Sequence, residues 1–252
     1  MELWINIRIF EYMEQNTITS IVIEVLNELS LVKRKGINFP NLLSKCNPYA
    51  LVVNCKNSQE VVDFVLQRHK QTSSETIWGY LLEAIAVKVS KITLNGYKSE
   101  RMCTDIEWEC DGNKHYRGWK SSPKWSNSDQ KKNVNNEESK MKELKDFGSF
   151  KVLTSYGKTS KRSEKNTKYI QLSGQDAWEE ISNDFELYNK VLIGIEKNSE
   201  KIGQFIETLY LSDKDNSIQW VKNNFTNEDE SINFIKVNEY VSGRNKVKVT
   251  KW

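Results

Sequence analysis

The 252-residue chain carries 37 Lys and Arg against 34 Asp and Glu, a net charge of +3. It is long enough to bury a full core, as one domain or one domain with an appendage, and the near-balance of charge does not by itself announce a nucleic-acid binder. No apolar run is long enough to span a bilayer and no signal-peptide pattern opens the chain, so a cytoplasmic protein without a membrane partner is expected. The four cysteines (Cys46, Cys55, Cys103, Cys110) form no Cys-x-x-Cys pair and His69 and His115 are far apart, which argues against a zinc site and for reduced thiols.

Residues 1–34 predict two helices, about 2–14 and 18–34. Leu3, Ile7, Phe10 and Met13 recur at helical spacing, as do Ile21, Val25 and Leu29. Gly36 breaks the pattern, Pro40 starts a short helix over Asn41–Lys45, and Asn47-Pro48 marks a turn. Ser58-Gln59-Glu60 opens a helix with Val61, Val62, Phe64, Val65 and Leu66 on its apolar face. A polar joint, Lys70–Ser74, separates it from a helix over Glu75–Val89, whose buried stripe is Ile77, Leu81, Leu82, Ile85 and Val89. Glu83 stands between Leu82 and Ala84, beside that stripe. A carboxylate there is costly unless paired or metal-bound, or else it lies at the stripe's edge and reaches water. Glu75 suits the first turn, where an acid complements the helix dipole.

After a turn at Asn95-Gly96, the stretch from Thr104 to Lys120 reads as a β-hairpin around Asp111-Gly112-Asn113. Side chains alternate between the faces of a strand. A two-residue turn at 111–112 or 112–113 puts Asp105, Glu107, Glu109, Tyr116, Gly118 and Lys120 on one face. Ile106, Trp108, Cys110, His115, Arg117 and Trp119 share the other. The first face is acidic and ends in a lysine; the second carries two tryptophans that can pack on a core. A carboxylate and an ammonium across a strand pair could hold a hard cation and the water that attacks a phosphodiester. The alternative is a solvated charged face.

Ser121–Gln130 reads as a polar loop containing Pro123 and Trp125, followed by a charged helix near Lys131–Lys145. Asn127, Ser128 and Gln130 suit phosphates or base edges, or equally a helix cap and turn. Phe150–Tyr156 predicts a third strand and Tyr169–Leu172 a short fourth. Between them Lys158–Lys168 holds five Lys or Arg against one Glu, a segment that is either disordered or lies on DNA. Within Ser121–Ser173, twelve basic residues face six acidic ones, a local excess suited to phosphate contacts. A helix from Gln175 carries Trp178, Ile181 and Phe185, and Leu187–Phe205 continues helical. Beyond it lie helical stretches at Ile218–Asn223 and Ser231–Ile235 and an alternating tail, Val237 to Val249.

Asp105, followed fifteen residues later by Lys120, resembles the core of the PD-(D/E)XK nucleases. The run Trp119-Lys120-Ser121-Ser122-Pro123-Lys124-Trp125-Ser126-Asn127-Ser128-Asp129-Gln130 is similar to a Lys-Ser-Gly-Pro-Asn-Trp-Gly-Asn-Ser segment of a group of type II restriction endonucleases. Ser73–Glu83 upstream and Gly174–Ser182 downstream agree with it in order, so the resemblance spans roughly residues 40–200. It implies an α/β fold with a mixed central sheet flanked by helices, extended by N-terminal helices. The expected organisation is an N-terminal helical region (1–70), a nuclease core (71–205) and a C-terminal extension packed on the core (206–252).

The resemblance also implies Mg²⁺-dependent, sequence-specific cleavage of double-stranded DNA. Asp105 would bind the metal, Glu83 would share it, and Lys120 would orient the attacking water. DNA contacts are expected from Ser122, Lys124, Trp125, Asn127, Ser128, Gln130, Lys158, Lys161 and Arg162. A homodimer would match a palindromic target, and a cognate DNA methyltransferase is expected in the same organism. The pattern departs from the family at one position: the acid normally two residues before the lysine is Gly118. Glu83 is the first substitute and Glu107 the next. Two alternatives stay open, a repair or junction-resolving nuclease on the same fold and a DNA-binding protein with a decayed site.

Overall fold

The structure is a computed structural model, and it describes residues 13–31, 37–122, 125, 127–158, 169–211, 214–243 and 247–252. The chain divides into two compact units, Met1–Leu31 with Trp78–Ile202, and Val32–Ile77 with Gly203–Trp252. In chain order the elements are α1 (Gln15–Leu31), α2 (Phe39–Leu43), α3 (Pro48–Asn54), α4 (Ser58–Leu94), β1 (Tyr97–Lys98), β2 (Ile106–Cys110) and β3 (Asn113–Lys120). There follow α5 (Ser128–Met141), β4 (Phe147–Thr154), β5 (Ile170–Ser173), α6 (Gln175–Glu180), α7 (Leu187–Lys197), α8 (Ser199–Leu211), α9 (Lys214–Phe225) and α10 (Phe234–Val241).

The first unit holds a five-stranded mixed sheet in the order β1-β2-β3-β4-β5. β1, β2 and β3 are antiparallel neighbours, while β4 runs parallel to β3 and β5 parallel to β4. This is the α/β class expected. The hairpin register pairs Ile106 with Arg117 and Cys110 with Asn113, so the turn is Asp111-Gly112. Both turn residues have positive φ, 53° and 74°. That is the type I′ geometry, whose twist matches that of the flanking strands, and glycine adopts it without steric cost.

Both faces of the sheet are covered. Trp119 meets Trp178 of α6 edge-on at 4.7 Å, and the Trp178 indole N–H donates to the Ser155 carbonyl at 3.0 Å. On the other face, Tyr116, Phe150 and Val152 join Val134 and Met141 of α5 and Tyr169 in one buried cluster. The face expected to be merely acidic therefore carries a core of its own. Tyr116 is wholly buried there, and Glu107 is only 6% exposed. The reason is the parallel β3–β4 connection, which brings a crossover helix onto the sheet.

The expected joint at Lys70–Ser74 is absent, because α4 runs unbroken for 37 residues. No Gly or Pro stands in that segment, and polar side chains facing water leave a helix intact. Asn47-Pro48 opens α3: the Asn47 side chain caps the Tyr49 amide, and Pro48 takes the first turn, where its missing N–H costs nothing. α7 and α8 replace the continuous helix expected over Leu187–Phe205, with Asn198 between them. The alternating tail is corrected too, since Phe234–Val241 is helical. The first expected helix, about 2–14, lies almost wholly outside the described residues.

The second unit has its own core. Phe39, Leu43 and Leu51 pack with Val61, Val62 and Val65 of α4 and with Trp220, Phe225 and Val237. Trp252 lies against both Phe39 and Trp220, at 6.2 and 6.1 Å between ring centroids. No helix among the described residues is long and apolar enough to cross a membrane.

Candidate active site

Asp105 immediately precedes β2, and its backbone N–H donates at 2.8 Å to the carbonyl of Arg117, the residue already paired with Ile106, so the strand bulges where Asp105 enters it. The Asp105 Oδ2 accepts from the Trp119 backbone N–H at 2.6 Å and from the Lys120 Nζ at 3.2 Å. Lys120 also stands over the Trp125 ring at 5.9 Å. Among the described residues nothing donates to Asp105 Oδ1. Half of the carboxylate is thus fixed by backbone and lysine, and half is available.

Glu83, on α4, is ion-paired with Lys98 on β1. Burial works against the Lys98 ammonium, but Glu83, and behind it Asp105, hold its pKa above the ordinary lysine value. Lys98 is the charged neighbour that sequence reasoning missed. Its only sequence signal is a position just after the Asn95-Gly96 turn that returns the chain from α4 to the sheet. Glu107 has a different environment. It accepts from the Tyr97 hydroxyl at 2.7 Å and the Ser99 hydroxyl at 3.2 Å, with the Arg101 guanidinium at 3.9 Å. The bond to Glu107, aided by burial, pushes Tyr97 up to about 12. Asp105 and Lys120 are thus in contact, while Glu83 and Glu107 are each already engaged and on opposite faces, Glu83 with Lys98, the register partner of Ile106, and Glu107 with Tyr97, its own register partner.

The absence of an acid at position 118 has a structural cause. A Cβ built on Gly118 would lie 2.6 Å from the Cys103 backbone oxygen, closer than real Cβ contacts come. Any side chain there would collide with main chain. Carboxylates alone do not form a metal site: no three His, Cys, Asp or Glu side chains converge among the described residues. What does suit a hard divalent cation is oxygen of the right kind, such as the open Oδ1 of Asp105.

The expected DNA contacts divide three ways. Lys124, Lys161 and Arg162 lie outside the described residues. Asn127 and Gln130 form a reciprocal capping box at the start of α5, at 2.9 and 3.0 Å, and Ser128 is the first residue of that helix. Ser122, Trp125 and Lys158 are partly or fully exposed, with Trp125 also touching Tyr169 at 6.5 Å. A cleft of about 580 Å³ opens on the opposite face of the sheet, lined by Trp108, His115, Arg117, Ser149, Lys151 and Glu180 among others. Its basic groups, Arg117 and Lys151, are both paired with Glu180, so its volume does not make it the reactive centre.

No curated protein matches the chain. Residues 13–202 match a known protein family, that of the type II restriction endonuclease EcoO109I. The match takes in the whole sheet, the Asp105–Lys120 pair and α6 with Trp178. The chain belongs to this family of type II restriction endonucleases, and it is accordingly a site-specific deoxyribonuclease.

Proposed function

We propose that the Asp105–Lys120 pair is the catalytic centre of a Mg²⁺-dependent cut in both strands of duplex DNA, on a core of the PD-(D/E)XK type. One observation carries this reading: Lys120 Nζ and the Trp119 amide both anchor Asp105 Oδ2 while Oδ1 stays open. A divalent cation held at Asp105 would polarise the scissile phosphate and lower the pKa of a bound water. Lys120 is placed to hold the attacking water by donation and to face the negative charge developing on the phosphate. The Trp119 N–H, on the same oxygen as Lys120, fixes the carboxylate's orientation. Glu83 would share the cation once Lys98 gives way, since both compete for one carboxylate.

Ser122, Lys124, Trp125, Asn127, Ser128 and Gln130 follow Lys120 directly, which supports a DNA-contacting role for the segment. Lys158, Lys161 and Arg162 supply basic side chains for the phosphate backbone. A homodimer would present two such centres with the symmetry of a palindrome. The reading also carries a cytoplasmic location and a cognate methyltransferase to protect the host's own sites.

Unmethylated phage DNA tests it. With Mg²⁺ or Mn²⁺ discrete bands are expected; with EDTA there should be none, and with Ca²⁺ binding should occur with little cutting. Full cleavage in metal-free buffer would overturn the metal role. Preference for branched junctions over linear duplex would favour the repair-type reading, and tight binding without any cleavage would favour a decayed site. Glu83→Gln should lose on the order of 10²-fold in rate while binding DNA and melting near the parent temperature. A normal Glu83→Gln beside a dead Glu107→Gln would move the second acidic role to the hairpin.

A further inference from the structure

Arg101 to Thr104 form a tight turn, closed by the Thr104 N–H donating to the Arg101 carbonyl at 3.2 Å. Cys103, at its third position, has φ of 60°, a left-handed conformation that costs a residue with a side chain energy. Such a turn normally takes glycine or asparagine there. The turn sets the Cys103 carbonyl oxygen 2.6 Å from where a Gly118 Cβ would be. Among the described residues that oxygen accepts no hydrogen bond.

The Asp105 Oδ2 accepts from the Trp119 backbone N–H, the peptide next to Gly118, at 2.6 Å. The Cys103 carbonyl and the Asp105 carboxylate therefore border the same Gly118-Trp119 main chain, and the carbonyl takes the space an acidic side chain at position 118 would enter.

We propose that the Cys103 main-chain carbonyl replaces the acid absent at Gly118, as an oxygen ligand for the divalent cation held by Asp105. This rests on the Asp105–Lys120 reading above. Backbone carbonyls are ordinary ligands for hard cations, so the exchange of a carboxylate for a carbonyl keeps an oxygen in place while removing one negative charge. The turn's strain and the glycine then have one purpose: each is what allows main chain to come so close to the strand. Cys103 matters through its backbone, and its thiol is dispensable.

The test reads metal binding directly. Protein labelled with ¹³C at the cysteine carbonyls gives signals from Cys46, Cys55, Cys103 and Cys110, and Cys103→Ser identifies the third by its loss. On addition of Mg²⁺ the Cys103 carbonyl signal should shift, while those of Cys46, Cys55 and Cys110 stay in place. In parallel, free Mn²⁺ measured by electron paramagnetic resonance should show Cys103→Ser binding like the parent. Gly118→Ala, which displaces the carbonyl, should bind at least about 10-fold more weakly, and Asp105→Asn should lose binding.

A Cys103 carbonyl that ignores saturating Mg²⁺, while Asp105→Asn still abolishes Mn²⁺ binding, overturns the carbonyl ligand and leaves the Asp105 site standing. Unchanged Mn²⁺ binding by Asp105→Asn overturns the underlying site instead. If Gly118→Ala fails to fold, the carbonyl shift in the parent protein decides the matter.

Discussion

Arg117 and Lys120 stand three residues apart on β3, on opposite faces of the sheet, and each meets a carboxylate. Arg117 is 2% exposed and all its donors are used. Nε and Nη2 reach Glu180, Nη1 donates to the Tyr116 and Ser149 carbonyls at 2.8 and 3.2 Å, and Nη2 also donates to the Ser149 hydroxyl at 3.1 Å. Lys151 closes the network on Glu180 at 2.7 Å, and Trp108 lies under the guanidinium at 4.5 Å. Lys120 is different. It makes one long bond to an aspartate whose second oxygen is open. A charge whose every donor is matched within the protein has nothing to offer a ligand, and its value is in holding α6 to the sheet. A partly exposed charge left half-satisfied is ready for substrate.

The contrast breaks most sharply if the two pairs are cut separately. Asp105→Ala or Lys120→Ala should abolish cleavage of plasmid DNA, by 10²-fold or more, while thermal melting stays near that of the parent. Arg117→Met should do the reverse. Removing one partner of a buried ion pair costs about 3–5 kcal/mol, so urea unfolding should shift strongly, with activity surviving in whatever fraction remains folded. A destabilised Asp105→Ala with a stable, inactive Arg117→Met would invert the assignment.

A smaller effect follows from pH. Burial pushes the Glu180 carboxyl up, but Arg117 and Lys151 together outweigh it and hold its pKa below the usual 4.5. A depressed carboxylate contributes stability that is present above the unfolded value and is lost as pH falls through the folded one. Burial, and then Arg117, also lower His115 below 6.5. Its neutral form is the folded one, so stability drains as pH falls from 6.5. Burial, and then Lys45, depress His69 likewise, so denaturant titrations should show stability decreasing from about pH 6.5 and again below 4.5, with His115→Gln reducing the upper step and His69→Gln with His115→Gln removing it.

The smallest expected effect concerns the basic segment. Neutralising Lys158, Lys161 and Arg162 together should weaken binding to all sequences alike. It should also flatten the salt dependence by about 0.9 log unit per lost phosphate contact on B-DNA. An unchanged slope would place that segment away from DNA.

Much of this protein is written locally. Asp111-Gly112 specifies a type I′ turn because few other dipeptides take positive φ twice, and that one turn determines which side chains share a face from Ile106 to Arg117. Asn127 and Gln130 spell a capping box three residues apart, and the periodicity of Ile77, Leu81, Ile85 and Val89 marks the buried side of α4. What no local pattern could supply is how distant segments meet. That Glu83 would face Lys98, and Glu107 the trio of Tyr97, Ser99 and Arg101, depends on β1 pairing with β2. That the acidic face would be roofed depends on α5 crossing between parallel strands. Gly118 shows the division most plainly: read in sequence it is a missing acid, whereas in three dimensions it is the space taken by the Cys103 carbonyl. Hydrogen-bonding and steric preferences act between neighbours in the chain, and long-range packing decides which of the resulting surfaces is left unsatisfied.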